Sequence, residues 1–129
     1  MAMAKLSIIV QSGAFDRVHY AMVLASAAAA IDREVTLFFT MEGCRALRPA
    51  GELGAWAAGE AVLREKGLAT LEELFAAAAE LDVRFLVCEL GLRAAGLALD
   101  DLRDDLGIRE AGAVTFLNDA GPDAQMVFV

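Results

Sequence analysis

Near its start the chain carries a short apolar run, Lys5–Val10 (KLSIIV), which stops at Gln11-Ser12-Gly13. A brief β-branched run bounded by turn residues predicts a buried strand. From Arg17 to Asp32 apolar positions go nearly all the way round the helical wheel. That pattern predicts a helix covered on most sides, with Asp16 as its N-cap. Val35–Thr40 (VTLFFT) predicts a second strand. Two strands joined by one helix form a βαβ unit, so the strands should run parallel. Thr70–Leu81 has the cleanest helical spacing, with Leu71, Leu74, Phe75, Ala78 and Leu81 on one face and a Thr70/Glu73 capping box at its start. Val83–Val87 (VRFLV) then predicts a third strand, ending at Cys88.

Between the second strand and that helix lies residues 41–69, too long for a plain loop in a compact domain. It holds Leu47, Leu53, Trp56, Val62 and Leu63, and Glu60–Lys66 has helical character. We read it as an excursion over the strand ends, acting as a lid or as an oligomer contact, because so much apolar surface is unusual on a monomer. After Cys88, Glu89–Ala98 predicts one or two helical turns, and Leu99–Leu106, with four aspartates, a solvated acidic helix face. Ile108–Ala111 predicts a very short fourth strand, Ala113–Asp119 a last helix and Gln125–Val129 a last strand. The alternation predicts one domain over residues 1–129: an α/β protein built as a three-layer α/β/α sandwich of flavodoxin-like architecture, with a mostly parallel sheet of about five strands. Ligands of such sheets bind outside the carboxyl ends of the strands. Gln11–Phe15, Met41–Leu47 and Cys88–Arg93 should all lie on that edge.

Charge narrows the partners. Eleven basic residues stand against 19 acidic ones, for a net charge of −8. A nucleic-acid binder needs a cationic surface, so nucleic acid is excluded as a general partner. No apolar run approaches the roughly 20 residues of a membrane span, and no signal peptide is visible, so the chain reads as cytoplasmic. With two cysteines and one histidine, neither a disulfide scaffold nor a zinc site is expected. No cofactor is implied, since neither dinucleotide nor P-loop glycine pattern occurs.

The chemistry-bearing candidates gather at the predicted strand ends. Cys88 closes an apolar strand and begins a turn into a helix, where amide N–H groups stabilise a thiolate or a persulfide. The bland alternative is a core cysteine. Cys88-Glu89-Leu90-Gly91-Leu92-Arg93 fits C-x-x-G-x-R, a spacing that resembles the sulfur-carrying loop of rhodaneses and is one residue short of the small tyrosine phosphatase loop. Glu89, Gly91 and Arg93 are therefore candidate binding residues, with Ser12 and Gly13 from the first strand's exit. His19, the only histidine, is a candidate proton donor from the first helix. Cys44, a few residues past the second strand, is a candidate resolving thiol.

Taken together, the opening KLSIIVQSGAFDRVHYAMVLASAAAA, the second strand with its exit VTLFFTMEGCRAL, the stretch KGLATLEELFAAAAELDVRFLVCELGLRAAGL and the closing GIREAGAVTFLNDAGPDAQMVFV resemble the DsrE/DsrF-like family, in particular its peroxiredoxin-like subgroup. The resemblance implies an α/β/α domain that assembles into trimers, tetramers or hexamers. It also implies a part in sulfur relay, in which a cysteine takes up sulfane sulfur as a persulfide from a donor protein and passes it to an acceptor. The family cysteine falls on Cys88. Where the family often continues Ser-Met-Asp, this chain has Glu89, Leu90 and Gly91. Two functional readings follow: a sulfur carrier or sulfurtransferase-like protein using Cys88, or a non-catalytic oligomeric module that binds a small ligand or a protein at the strand ends.

Overall fold

The computed structural model describes residues 3–129. Five strands form one sheet: β1 (Leu6–Val10), β2 (Val35–Phe39), β3 (Arg84–Cys88), β4 (Arg109–Ala111) and β5 (Gln125–Phe128). Their order is β4-β3-β2-β1-β5, and every neighbouring pair is parallel. The exits of β1, β2 and β3 therefore share one edge, as the βαβ pattern predicts. The helices are α1 (Phe15–Ala30), α2 (Trp56–Glu65), α3 (Leu71–Glu80), α4 (Glu89–Ala94) and α5 (Ala113–Ala120).

The connectivity decides which face each helix covers. The steps from β1 through β2 and β3 to β4 all move in one direction, so crossovers of one hand keep their helices on one face. Only the return to β5, beside β1, reverses, and it carries α5 to the other face. The core divides accordingly. Val18, Met22 and Ala25 of α1 and Leu71, Phe75 and Ala78 of α3 bury against Ile8, Leu37, Phe39, Phe85 and Val87. On the far side Phe116 of α5 packs with Phe38, Leu86 and Cys88. There the Phe38 and Phe116 rings stack at 4.5 Å between centroids. Burying each such aromatic side chain contributes about 1.5–3 kcal/mol. The second face thus has one eight-residue helix over it. Val114, Leu117, Met126 and Phe128 stay exposed around that helix.

Two local expectations, the Asp16 cap and the 99–106 helix, are corrected. Asp16 does not cap α1: the cap is Ala14, whose amide donates to Ser12 Oγ at 3.1 Å, and Asp16 lies within the first turn. The 41–69 excursion divides in two: its first turn joins the core, whereas α2 buries none of its residues and leaves Val62 exposed, like Leu68 after it. Residues 41–47 form a 3-10 turn that buries Cys44, Ala46 and Leu47 in the main core. Trp56 meets the Phe15 ring edge-on at 5.4 Å. The Glu60 carboxylate accepts the amide hydrogens of Leu71 and Glu72, at 2.6 and 3.1 Å, beside the Thr70/Glu73 capping box. Nor is 99–106 a solvated acidic helix. After a 3-10 turn at Leu99–Asp101 the backbone is irregular, and Leu102 and Leu106 are buried. Arg103 lies over the Phe75 ring and is gripped by Glu72 at 2.7 and 2.8 Å and by Asp105 at 2.8 and 2.9 Å. The planar guanidinium thus pairs bidentately with both carboxylates.

Candidate functional site

Cys88 is the last residue of β3 and the N-cap of α4. Strand alternation turns its side chain, like that of Leu86, to the α5 face. Its Sγ accepts a hydrogen bond from the Gly91 amide at 3.4 Å. Cys88 is 7% exposed and lines a cavity of about 590 Å³. Phe38, Thr40, Glu89, Leu90, Arg93, Gly112 and Ala113 complete the lining. Among the cavities described it is the one lined by a thiol. A larger one, about 870 Å³, is lined by Glu72, Asp100, Arg103, Asp104 and Asp105 among others; its only cation is already held by two carboxylates.

Of the residues predicted for the site, Glu89, Gly91 and Arg93 do surround Cys88. Arg93 is paired with Glu89 at 3.3 Å, in solvent, and so its guanidinium faces a carboxylate at the cavity mouth. Gly91 has a packing reason of its own. A Cβ built there would strike the Met41 amide and come within 2.5 Å of Thr40 Oγ1. Glycine therefore lets α4 sit directly on the exit of β2, which aims the Gly91 N–H at the sulfur. Met41 itself takes a left-handed backbone, φ 51°, uncommon for a residue with a side chain.

Ser12 and Gly13 lie on the same edge but line a separate cavity of about 500 Å³ with Arg17, Met41, Glu42 and Phe128. His19 is on the opposite face of the sheet from Cys88. Its Nε2 hydrogen-bonds the carbonyl of Ala69 at 2.9 Å and its ring stacks on Phe15. Strand exits predict the shared edge for His19 and Cys88, whereas the face is set by connectivity. Cys44 is fully buried in the main core. Burial, foremost, and the neighbouring Cys88 push its thiol up to about 12, so it stays protonated at neutral pH. Among the described residues no cluster of three or more His, Cys, Asp or Glu side chains is placed to hold a metal ion.

Phe38, Thr40, Gly112 and Ala113 were missed by sequence reasoning. Phe38 and Thr40 share Cys88's face by period two along β2, a signal that becomes usable once β2 is known to lie beside β3. Gly112 and Ala113 come from the turn into α5 and carry no local mark.

The DsrE/DsrF-like family pattern matches residues 4–125. The chain belongs to the DsrE/DsrF-like family. It is 28% identical to the sulfur carrier protein DsrE2 of Allochromatium vinosum, covering 94% of this chain and 95% of that one. It is 26% identical to the uncharacterized protein YrkE of Bacillus subtilis, covering 97% and 96%. In structure it is similar to the protein of unknown function MTH1491 from Methanobacterium thermoautotrophicum, with a TM-score of 0.70 at 15% identity over 98% of this chain and all of the other, which establishes the shared α/β fold. No helix among the described residues of this DsrE/DsrF-like chain is long and apolar enough to cross a membrane.

Proposed function

We propose that this protein is a sulfur carrier in a cytoplasmic sulfur relay, with the sulfane sulfur held as a persulfide on Cys88. The observation that carries the reading is the contrast between the two thiols. Cys88 faces a cavity and receives an amide N–H, while Cys44 is sealed in the core. Family membership and the resemblance to a named sulfur carrier support it. The step balances without a cofactor. The Cys88 thiolate attacks the outer sulfur of a donor persulfide, the donor's S–S bond breaks, and the donor thiolate leaves with the electron pair. Delivery to an acceptor thiol is the same displacement in reverse. Neither step changes the total oxidation state of the sulfur atoms.

The mostly apolar cavity walls and the exposed Leu90, Val114, Leu117 and Phe128 suit a protein surface docking over the mouth, from a donor, an acceptor or another copy of this chain. We place a homo-oligomer contact there. The test is incubation with inorganic polysulfide followed by intact mass. The wild type should gain one sulfur and Cys88→Ser none. A wild type that never gains sulfur refutes the carrier reading.

A further inference from the structure

Thr40 presents an unusual combination. It immediately precedes the 3-10 turn 41–47, where a threonine ordinarily caps the following amides, yet its side chain makes no capping bond. Among the described residues its hydroxyl has no hydrogen-bond partner, although its backbone is fixed by an N–H donated to the Val10 carbonyl at 3.0 Å. The side chain lines the Cys88 cavity. Gly91 touches both groups: its amide reaches Cys88 Sγ, and a Cβ built on it would come within 2.5 Å of Thr40 Oγ1. The left-handed Met41 holds Thr40 at the point where β2 turns away from the sheet.

A persulfide on Cys88 has two sulfurs with different needs. The inner one already accepts from the Gly91 amide. The outer one carries the negative charge, lies farther into the cavity and needs a donor of its own. We propose that the Thr40 hydroxyl is that donor, so that Thr40 is a sulfur-binding residue which holds the outer sulfur against loss. This rests on the carrier reading and adds a residue that the C-x-x-G-x-R spacing does not contain.

The test compares wild type with T40V, T40A and T40S after loading with inorganic polysulfide and desalting. Loss of the added sulfur to cyanide is followed by intact mass, and alkylation of the unloaded thiol is measured in parallel. Loss should be about tenfold faster in T40V and T40A, the effect of removing one hydrogen bond to a charged group. T40S should behave as the wild type, and the alkylation rate should be the same in all four. Thr40 is not the donor if T40V and T40A keep sulfur as long as the wild type, if T40S fails with them, or if alkylation changes in step with sulfur loss, which would indicate altered access. Those outcomes leave the carrier reading intact; a wild type that takes up no sulfur removes both.

Discussion

Glu60 Oε1 accepts the amide hydrogen of Leu71 at 2.6 Å, and its other oxygen takes that of Glu72. With Thr70 Oγ1 serving Glu73, all three first-turn donors of α3 are satisfied, two of them by a side chain from another helix. The negative carboxylate also opposes the positive end of the α3 dipole. Glu60→Ala should cost about 1–2 kcal/mol by urea midpoint, as loss of a good cap does. Glu65→Ala, an exposed change on the same helix, should stay within about 0.5 kcal/mol.

Gly91→Ala forces a methyl group onto the Met41 amide and Thr40. Overpacking against backbone costs about 1–3 kcal/mol, and relief requires α4 to move away from β2. Stability and sulfur loading should therefore fall together, read by denaturant midpoint and intact mass. Gly51→Ala meets no atom within 4 Å and should be neutral.

The two cysteines should separate cleanly. Cys88→Ser borders a cavity, so its hydroxyl finds room and donors; loading should vanish with a stability loss under about 1.5 kcal/mol. Cys44→Ser buries a hydroxyl in the main core and should cost roughly 1–3 kcal/mol while loading persists. Because the Cys44 thiol is pushed up to about 12, native protein at pH 8 should take one alkyl group per chain from iodoacetamide, and two once unfolded in urea.

The Arg103 cluster should make stability sensitive to acid. The hydrogen bond from Arg103, foremost, holds the Asp105 carboxyl below its ordinary value of 3.8. A depressed carboxylate contributes stability that is fully present well above that value and is lost as pH falls through the folded one. Asp105 is exposed, so its own share is small. The gap in urea midpoint between wild type and Asp105→Asn should be present at pH 7 and begin to shrink as pH falls below about 4. A gap that stayed constant as pH fell from about 4 to about 2 would rule out the carboxylate's charge as its source.

What could be read in advance was whatever local chemistry fixes. The Thr70/Glu73 capping box and the apolar runs of β1, β2 and β3 lie where their residues predict, because caps and short buried strands depend on neighbours in sequence. Cys88 was found by the same logic, as a thiol closing such a strand. Arg103 was hidden, since its partners Glu72 and Phe75 lie on α3 and only the fold brings them under it. His19 was grouped with Cys88 because a strand exit reveals the edge of a sheet. Its face depends on the direction of each crossover, and that is a property of the whole chain.

The lone helix above the second face also fixes an order of assembly. All the buried residues of the main core, from Leu6 to Leu106, precede α5 in the chain. A nascent chain can therefore gather that core while Phe38, Leu86 and Cys88 still lie bare, waiting for Gly112, Ala113 and Phe116. The Cys88 side chain is therefore least covered in the interval before α5 docks.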